Sequence, residues 1–216
     1  MKKKELNFEL YLVTDRKLSK GRKLEDIVTS AVSGGATIIQ LREKECSTRE
    51  FIEFGKKIRA ILKSKNIPLI INDRIDIALA VKADGVHIGK NDMFYQTARD
   101  ILGKDAIIGL SVESVQDAIE AEKFDVDYLG LSPIYSTPTK TDIQHELGLE
   151  GIREIRKISK HKLVAIGGIK TYNTKEIIQA GADGIAVVSA ICSAEDPENS
   201  ARELREIVRN ALKERK

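Results

Sequence analysis

Eight short apolar runs recur along the chain, and their character restricts the fold more than any other feature. They cover residues 10–13, 37–41, 69–71, 85–88, 107–110, 128–131, 163–166 and 184–188. Each is close to continuously apolar and rich in β-branched residues. A strand with one wet face would alternate apolar and polar residues. A continuous run is what a strand needs when both faces are buried, as in a parallel sheet. Between the runs lie longer stretches with helical period. Residues 24–33 set Leu24, Ile27, Val28 and Ala31 on one stripe, and residues 48–65 do so with Phe51, Ile52, Phe54, Ile58, Ile61 and Leu62. Further helical segments cover roughly 75–81, 93–102, 115–123, 149–158, 174–180 and 197–212. Ser47-Thr48-Arg49-Glu50 has the spacing of a capping box, and Pro197 sits where proline favours a first helical turn.

Eight strand–helix units in 216 residues repeat about every 25 residues, the period of a closed (β/α)8 TIM barrel. The expected fold is therefore α/β, with one barrel domain over residues 1–216. At 42% apolar residues the chain has enough to build one core. A net charge of +3, with both signs mixed, excludes an extended nucleic-acid face and a polybasic membrane segment. No apolar stretch follows Lys2-Lys3-Lys4 as a signal peptide requires, and no run has the length of a membrane span. Cys46 and Cys192 match no metal spacing and read as free thiols in a reducing compartment, so the expected location is cytoplasmic.

In such a barrel the loops after the helices serve stability and the loops after the strands carry chemistry. Gly35-Ala36-Thr37, Ala83-Asp84-Gly85 and Gly181-Ala182-Asp183-Gly184 belong to the first kind. The second kind is unusually polar. Gln40, Arg42 and Lys44 fall at every second position, so in extended chain they face one side. One amide and two cations suit an anion attached to a hydrogen-bonding ring. Glu43 and Glu45 interleave, however, so a solvated charged loop is the competing reading. Asn72 and Asp73 follow the third run, and Gly89 and Asp92 follow the fourth. Two carboxylates on adjacent strand ends, without histidine or thiolate partners, suit Mg²⁺ shared with substrate phosphates. Each aspartate could instead start a helix. His87, between Val86 and Ile88, reads as a packed, hydrogen-bonded histidine. Ser111 follows the fifth run. After the sixth, Thr137, Thr139 and Lys140 gather two hydroxyls and an ammonium in four residues, as a polyanion would require. Gly167-Gly168 follow the seventh run and Val188-Ser189-Ala190 the eighth, where barrels often hold a phosphate. Two anion sites and a metal site on one face point to a transferase or lyase of phosphorylated small molecules.

Tyr11-Leu12-Val13-Thr14-Asp15, Gln40-Leu41-Arg42-Glu43-Lys44, Ile71-Asn72-Asp73-Arg74, Gly85-Val86-His87-Ile88-Gly89, Thr137-Pro138-Thr139-Lys140, Ala165-Ile166-Gly167-Gly168-Ile169 and Gly184-Ile185-Ala186-Val187-Val188-Ser189 together resemble the blocks of the thiamine-phosphate synthases, in order and nearly end to end. The resemblance implies the joining of 4-amino-5-hydroxymethyl-2-methylpyrimidine pyrophosphate to 4-methyl-5-(2-hydroxyethyl)thiazole phosphate, by a dissociative route that releases pyrophosphate. It implies Arg42, Lys44 and Asn72 at the pyrophosphate and Gln40 on the pyrimidine. Asp73 and Asp92 would hold Mg²⁺, and Ser111 would lie near the leaving oxygen or the pyrimidine amine. Thr137, Thr139, Gly168, Ser189 and the Val188 backbone would hold the thiazole phosphate, with Lys140 bridging toward the pyrophosphate. Lys44, Ser111 and Lys140 would be the catalytic residues. The implied partners are small phosphorylated substrates, with no nucleic acid and no membrane, and a homo-oligomer is left open.

Three positions depart from the family's pattern. Ser132-Pro133 stands where Gly-Pro is usual, Ser136 where proline is usual, and Lys90 where glutamine is usual. If the usual glycine needs a positive φ, Ser132 distorts that loop. Lys90 adds a charge beside the metal loop. Two other readings use the same scaffold: a thiazole tautomerase-like relative that binds only the thiazole phosphate, and a non-catalytic ligand sensor. The first has no need of Arg42, Lys44, Asp73, Asp92 and Lys140 together.

Overall fold

The computed structural model describes residues 6–136 and 146–215, and within them all eight apolar runs are strands. They are β1 (Leu10–Val13), β2 (Ile38–Leu41), β3 (Leu69–Asn72), β4 (Gly85–Ile88), β5 (Ile107–Val112), β6 (Tyr128–Leu131), β7 (Lys162–Ile166) and β8 (Gly184–Val187). Each pairs in parallel with its neighbours in sequence, and β1 pairs with β8 to close the barrel. Around it lie α1 (Leu24–Ser33), α2 (Thr48–Lys65), α3 (Ile75–Val81), α4 (Tyr95–Leu102), α5 (Val115–Ala121), α6 (Gly148–Ile158), α7 (Thr171–Gln179), α8 (Ser189–Cys192) and α9 (Pro197–Glu214). The expected (β/α)8 barrel is the fold found. Among the described residues no helix is long and apolar enough to cross a membrane.

Local chemistry accounts for several boundaries. Ser47 Oγ accepts from the Glu50 N–H, and Glu50 returns the bond to the Ser47 N–H, so the capping box starts α2 as expected. Asp196 caps α9 ahead of Pro197. Other boundaries differ from the sequence expectation. β5 continues past Leu110, pairing Ser111 with Gly130 and Val112 with Leu131, so Ser111 lies within a strand rather than after one. Asn72 likewise ends β3. α7 starts at Thr171 because Asn173 Oδ1 accepts the Lys170 N–H, and α8 is a further short helix. On α2 only part of the expected stripe is sealed: Phe51, Ile58 and Leu62 are buried, whereas Ile52, Phe54 and Ile61 are partly so.

Two apolar layers result. One lies between strands and helices; the other fills the barrel and includes Phe8, Tyr11, Val13, Ile38, Ile70, Tyr128 and Val164. Bulky and minimal residues alternate across the lumen. Gly109 pairs with Tyr128, and a Cβ at Gly109 would lie 2.1 Å from Tyr128 Cζ. The tyrosine is wholly enclosed and has nowhere to move. Gly109→Ala should therefore cost about 1–3 kcal/mol of stability by overpacking, read as a lower urea midpoint at unchanged slope. At the barrel's lower end the recurring aspartates tie strands together. Asp84, Asp127 and Asp183 each accept an N–H at the start of a neighbouring strand, from Leu69, Ile108 and Leu163. Arg59 and Arg156 hold Asp84 and Asp183 in place.

Candidate active site

A cavity of about 360 Å³ opens at the C-terminal ends of the strands. Its lining contains Gln40, Arg42, Lys44, Asn72, Asp73, Asp92, Ser111, Gly168, Val188 and Ser189. These site residues come from six strand ends spread through the chain, and the barrel brings them to one place. Thr137, Thr139, Lys140 and His145 lie outside the described residues.

At the β2 end Glu43 and Glu45 both find partners in the loop after β1. Glu43 turns away from the cavity to meet Arg16 Nε at 2.7 Å, and Glu45 meets Lys17 Nζ at 2.6 Å. Burial raises the Glu43 pKa, with Arg16 opposing the shift. The acidic residues are thus answered from the loop after β1, and the cavity side of the strand end stays cationic. Arg42 is steadied by Asp15 at 3.4 Å and by its own N–H on Thr14 Oγ1 at 3.1 Å. Lys44, among the described residues, is in no ion pair. Gln40 is buried in the strand and donates from Nε2 to Tyr11 Oη at 3.0 Å.

Neither aspartate caps a helix. The residue flanking α3 is Arg74 and that flanking α4 is Phe94, so the alternative for Asp73 and Asp92 falls away. Asp73 has φ 62°, a left-handed backbone that is uncommon outside glycine and recurs at functional sites. Its N–H is held by the His87 carbonyl at 2.8 Å. Asp92 Oδ2 accepts the Gly89 N–H at 2.7 Å. Burial pushes the Asp73 carboxyl up to about 6, and the facing Asp92 carboxylate adds to the shift, while Lys44 and Arg42 oppose it. Two facing carboxyls in a half-buried site form a pair suited to a cation between them. Among the described residues no third acidic, histidine or cysteine group completes a protein-only site. Few hard oxygen ligands, with the rest left to water and phosphate, is the ligand chemistry of Mg²⁺.

Below this level Tyr128 Oη lies 2.8 Å from Tyr11 Oη and 2.9 Å from His87 Nδ1, and His87 Nε2 lies 2.9 Å from Ser111 Oγ. His87 is the packed, hydrogen-bonded residue expected. Tyr11 and Tyr128 were legible only as apolar core, since their hydroxyls give no periodic signal.

Across the mouth, Gly167 and Gly168 have φ 107° and 65°, and a Cβ on Gly168 would lie 2.7 Å from Tyr135 Cβ. Asn173 Nδ2 donates to the Gly168 carbonyl at 3.0 Å and fixes this turn. Ser189 opens α8, whose first N–H groups have no partner within the helix. Lys170, not singled out in the sequence, sends Nζ to Ser189 Oγ at 3.1 Å and is in no ion pair among the described residues. Its signal was only its place one residue beyond the Gly167-Gly168-Ile169 block. Ser132 is not among the residues with positive φ, so serine there imposes no left-handed strain; the Ser132–Pro133 peptide is cis. The added Lys90 turns aside to Asp117 at 3.2 Å.

A TIM barrel whose upper mouth joins cations, a carboxylate pair and a glycine turn defines an enzyme of phosphorylated small molecules. The comparisons make that class specific. Residues 10–191 match the family model described as thiamine monophosphate synthase. The thiamine-phosphate synthase of Syntrophomonas wolfei is 51% identical over 93% of this chain and 96% of its own length. That of Albidiferax ferrireducens is 50% identical over 92% and 91%. The thiamine phosphate pyrophosphorylase structure from Pyrococcus furiosus superposes with a TM-score of 0.87 at 42% identity, over 95% of this chain and 98% of that one. The chain belongs to the thiamine monophosphate synthase family.

Proposed function

We propose that this chain is a working thiamine-phosphate synthase, a transferase that makes thiamine phosphate and pyrophosphate from the pyrimidine pyrophosphate and the thiazole phosphate. The supporting observation is the single cavity that combines the Arg42–Lys44 face, the Asp73–Asp92 pair and the Gly168–Ser189 turn. In the reaction the bond from the pyrimidine methylene to the pyrophosphate oxygen breaks, and its electron pair leaves with pyrophosphate. The thiazole nitrogen lone pair then forms the new C–N bond.

Lys44 and Arg42 meet the charge that gathers on the departing pyrophosphate, with Asn72 as a neutral donor beside them. Asp73 and Asp92 would hold Mg²⁺, which when bound supplies positive charge to the same leaving group. Gln40 orients the pyrimidine ring, and Ser111 serves the leaving oxygen. Gly168, the Val188 backbone and Ser189 seat the thiazole phosphate; for Thr137, Thr139 and Lys140, which lie outside the described residues, the roles are those the family resemblance implies. No residue need remove a proton from carbon, which is consistent with a site rich in cations and poor in acid–base pairs.

Lys170 adds a cation behind Ser189. Replacing it with methionine should raise the KM for the thiazole phosphate roughly tenfold, the worth of one charge-assisted hydrogen bond, and leave kcat within about twofold. Initial rates over a thiazole-phosphate series measure it, and an unchanged KM would remove Lys170 from the site. The function itself is tested by incubating the purified protein with both substrates and Mg²⁺. Thiamine phosphate and pyrophosphate should form in equal amounts. Turnover of the thiazole phosphate alone would favour the tautomerase reading, for which the carboxylate pair and Lys44 have no use.

A further inference from the structure

The five side chains from Gln40 to Ser111 form one hydrogen-bonded row across the barrel lumen, and its polarity can be worked out group by group. Gln40 Nε2 can only donate, and it reaches Tyr11 Oη at 3.0 Å. The Tyr11 hydroxyl is sealed from solvent, so its own hydrogen needs an acceptor inside the barrel, and Tyr128 Oη stands 2.8 Å away. Tyr128 then spends its hydrogen on His87 Nδ1 at 2.9 Å. A neutral imidazole that accepts at Nδ1 carries its hydrogen on Nε2, and that atom donates to Ser111 Oγ at 2.9 Å. Ser111 is left with one hydrogen, directed away from His87, on a residue that lines the cavity. Reversing the two inner bonds would make Tyr11 Oη accept twice and strand its hydrogen in the core, at the cost of an unmet buried donor. Burial raises both phenols above their ordinary pKa, so each keeps the hydrogen that the row requires.

We propose that this row orients the Ser111 hydroxyl as a hydrogen-bond donor toward the departing pyrophosphate, with Tyr128 and His87 as positioning residues that act through Ser111. The inference rests on the synthase reading only for the identity of the anion. The row starts at Gln40, the residue assigned to the pyrimidine ring, and ends at Ser111, assigned to its leaving group. One polarised chain therefore sets both ends of the same substrate site. An acceptor serine would repel an anionic oxygen; a donor serine stabilises it.

The first test needs no substrate. Histidine ring ¹⁵N spectra of the free protein at about pH 8 report the tautomer directly, with signals assigned by loss in His87→Gln, His145→Gln and His161→Gln. A hydrogen on Nε2 with a bare Nδ1 is expected for His87; a hydrogen on Nδ1 overturns the proposal whether or not the protein makes thiamine phosphate. The second test is a double-mutant cycle. Tyr128→Phe keeps the ring and removes the hydroxyl, and should lower kcat roughly fivefold to tenfold, the worth of one neutral hydrogen bond, with the KM for the thiazole phosphate unchanged. In a Ser111→Ala background the same change should have no further effect on kcat. Equal losses in both backgrounds would show that Tyr128 acts through packing and would overturn the proposal, while wild-type turnover in the same assay tests the synthase reading separately.

Discussion

Asp73→Asn should give a folded barrel that has lost roughly 10²–10³ of its turnover, the scale on which one preorganised electrostatic partner acts, and has also lost its response to magnesium. The second readout follows from proton linkage. In the metal-free protein the Asp73 carboxyl is raised to about 6 by burial and by Asp92. Its folded pKa therefore lies above its unfolded one, and the folded state holds a proton that the unfolded chain has released. That contribution is fully present below the ordinary aspartate range and is lost as pH rises through about 6. On the proposed site magnesium would work in the opposite direction, because it would bind the ionised pair. The increase in melting temperature on adding Mg²⁺ should be large near pH 7.5, small near pH 5 and absent in Asp73→Asn at both. Thermal unfolding with and without Mg²⁺ at two pH values checks this, and equal Mg²⁺ increments in the variant and the wild type would remove Asp73 from the metal site.

Much of the barrel could be read in advance because its signal is local. A parallel strand sealed on both faces must be continuously apolar, and a helix packed on it must show a stripe, so both periods stand in the sequence. The reading was poorest where polar residues enter a strand. Ser111 ends the apolar run yet pairs in register with Gly130, because the barrel mouth accepts a hydroxyl on its inner face. The site was legible where residue type and strand-end position coincide, as at Gln40, Arg42 and Lys44. It was illegible where function depends on a partner far along the chain. Nothing near Glu43 says that Arg16, far back along the chain, will pair with it at 2.7 Å. Nothing in residues 128–131 says that a core tyrosine lies 2.9 Å from His87. Lys170 lacked a signal for the same reason, since its meaning comes from Ser189 at the start of α8.

Lys44→Ala should lose roughly 10²–10³ in kcat, again the range for one oriented charge partner, with a smaller change in the KM for the pyrimidine pyrophosphate. The asymmetry has a physical source. The substrate already carries its phosphate charge before the reaction, so on the proposed role part of the Lys44 attraction would be present in the ground state. The further negative charge on the bridging oxygen develops only as the carbon–oxygen bond breaks, and only that increment raises the rate. The protein itself should tolerate the change. Lys44 is exposed and is in no ion pair among the described residues, so truncation falls in the range of about ±0.5 kcal/mol typical of such surface positions. A normal melting temperature with a collapsed kcat is thus the expected pattern. A second consequence separates Lys44 from a passive surface charge. Its ammonium holds the Asp73 carboxyl down against burial and Asp92, so without it Asp73 should stay protonated to higher pH. The acid limb of the kcat/KM profile should then move upward in Lys44→Ala, and extra Mg²⁺ should move it back by competing with the proton. If Lys44→Ala keeps turnover within about threefold of wild type, or loses it with no movement of the acid limb, the lysine does not stand between the pyrophosphate and the carboxylate pair.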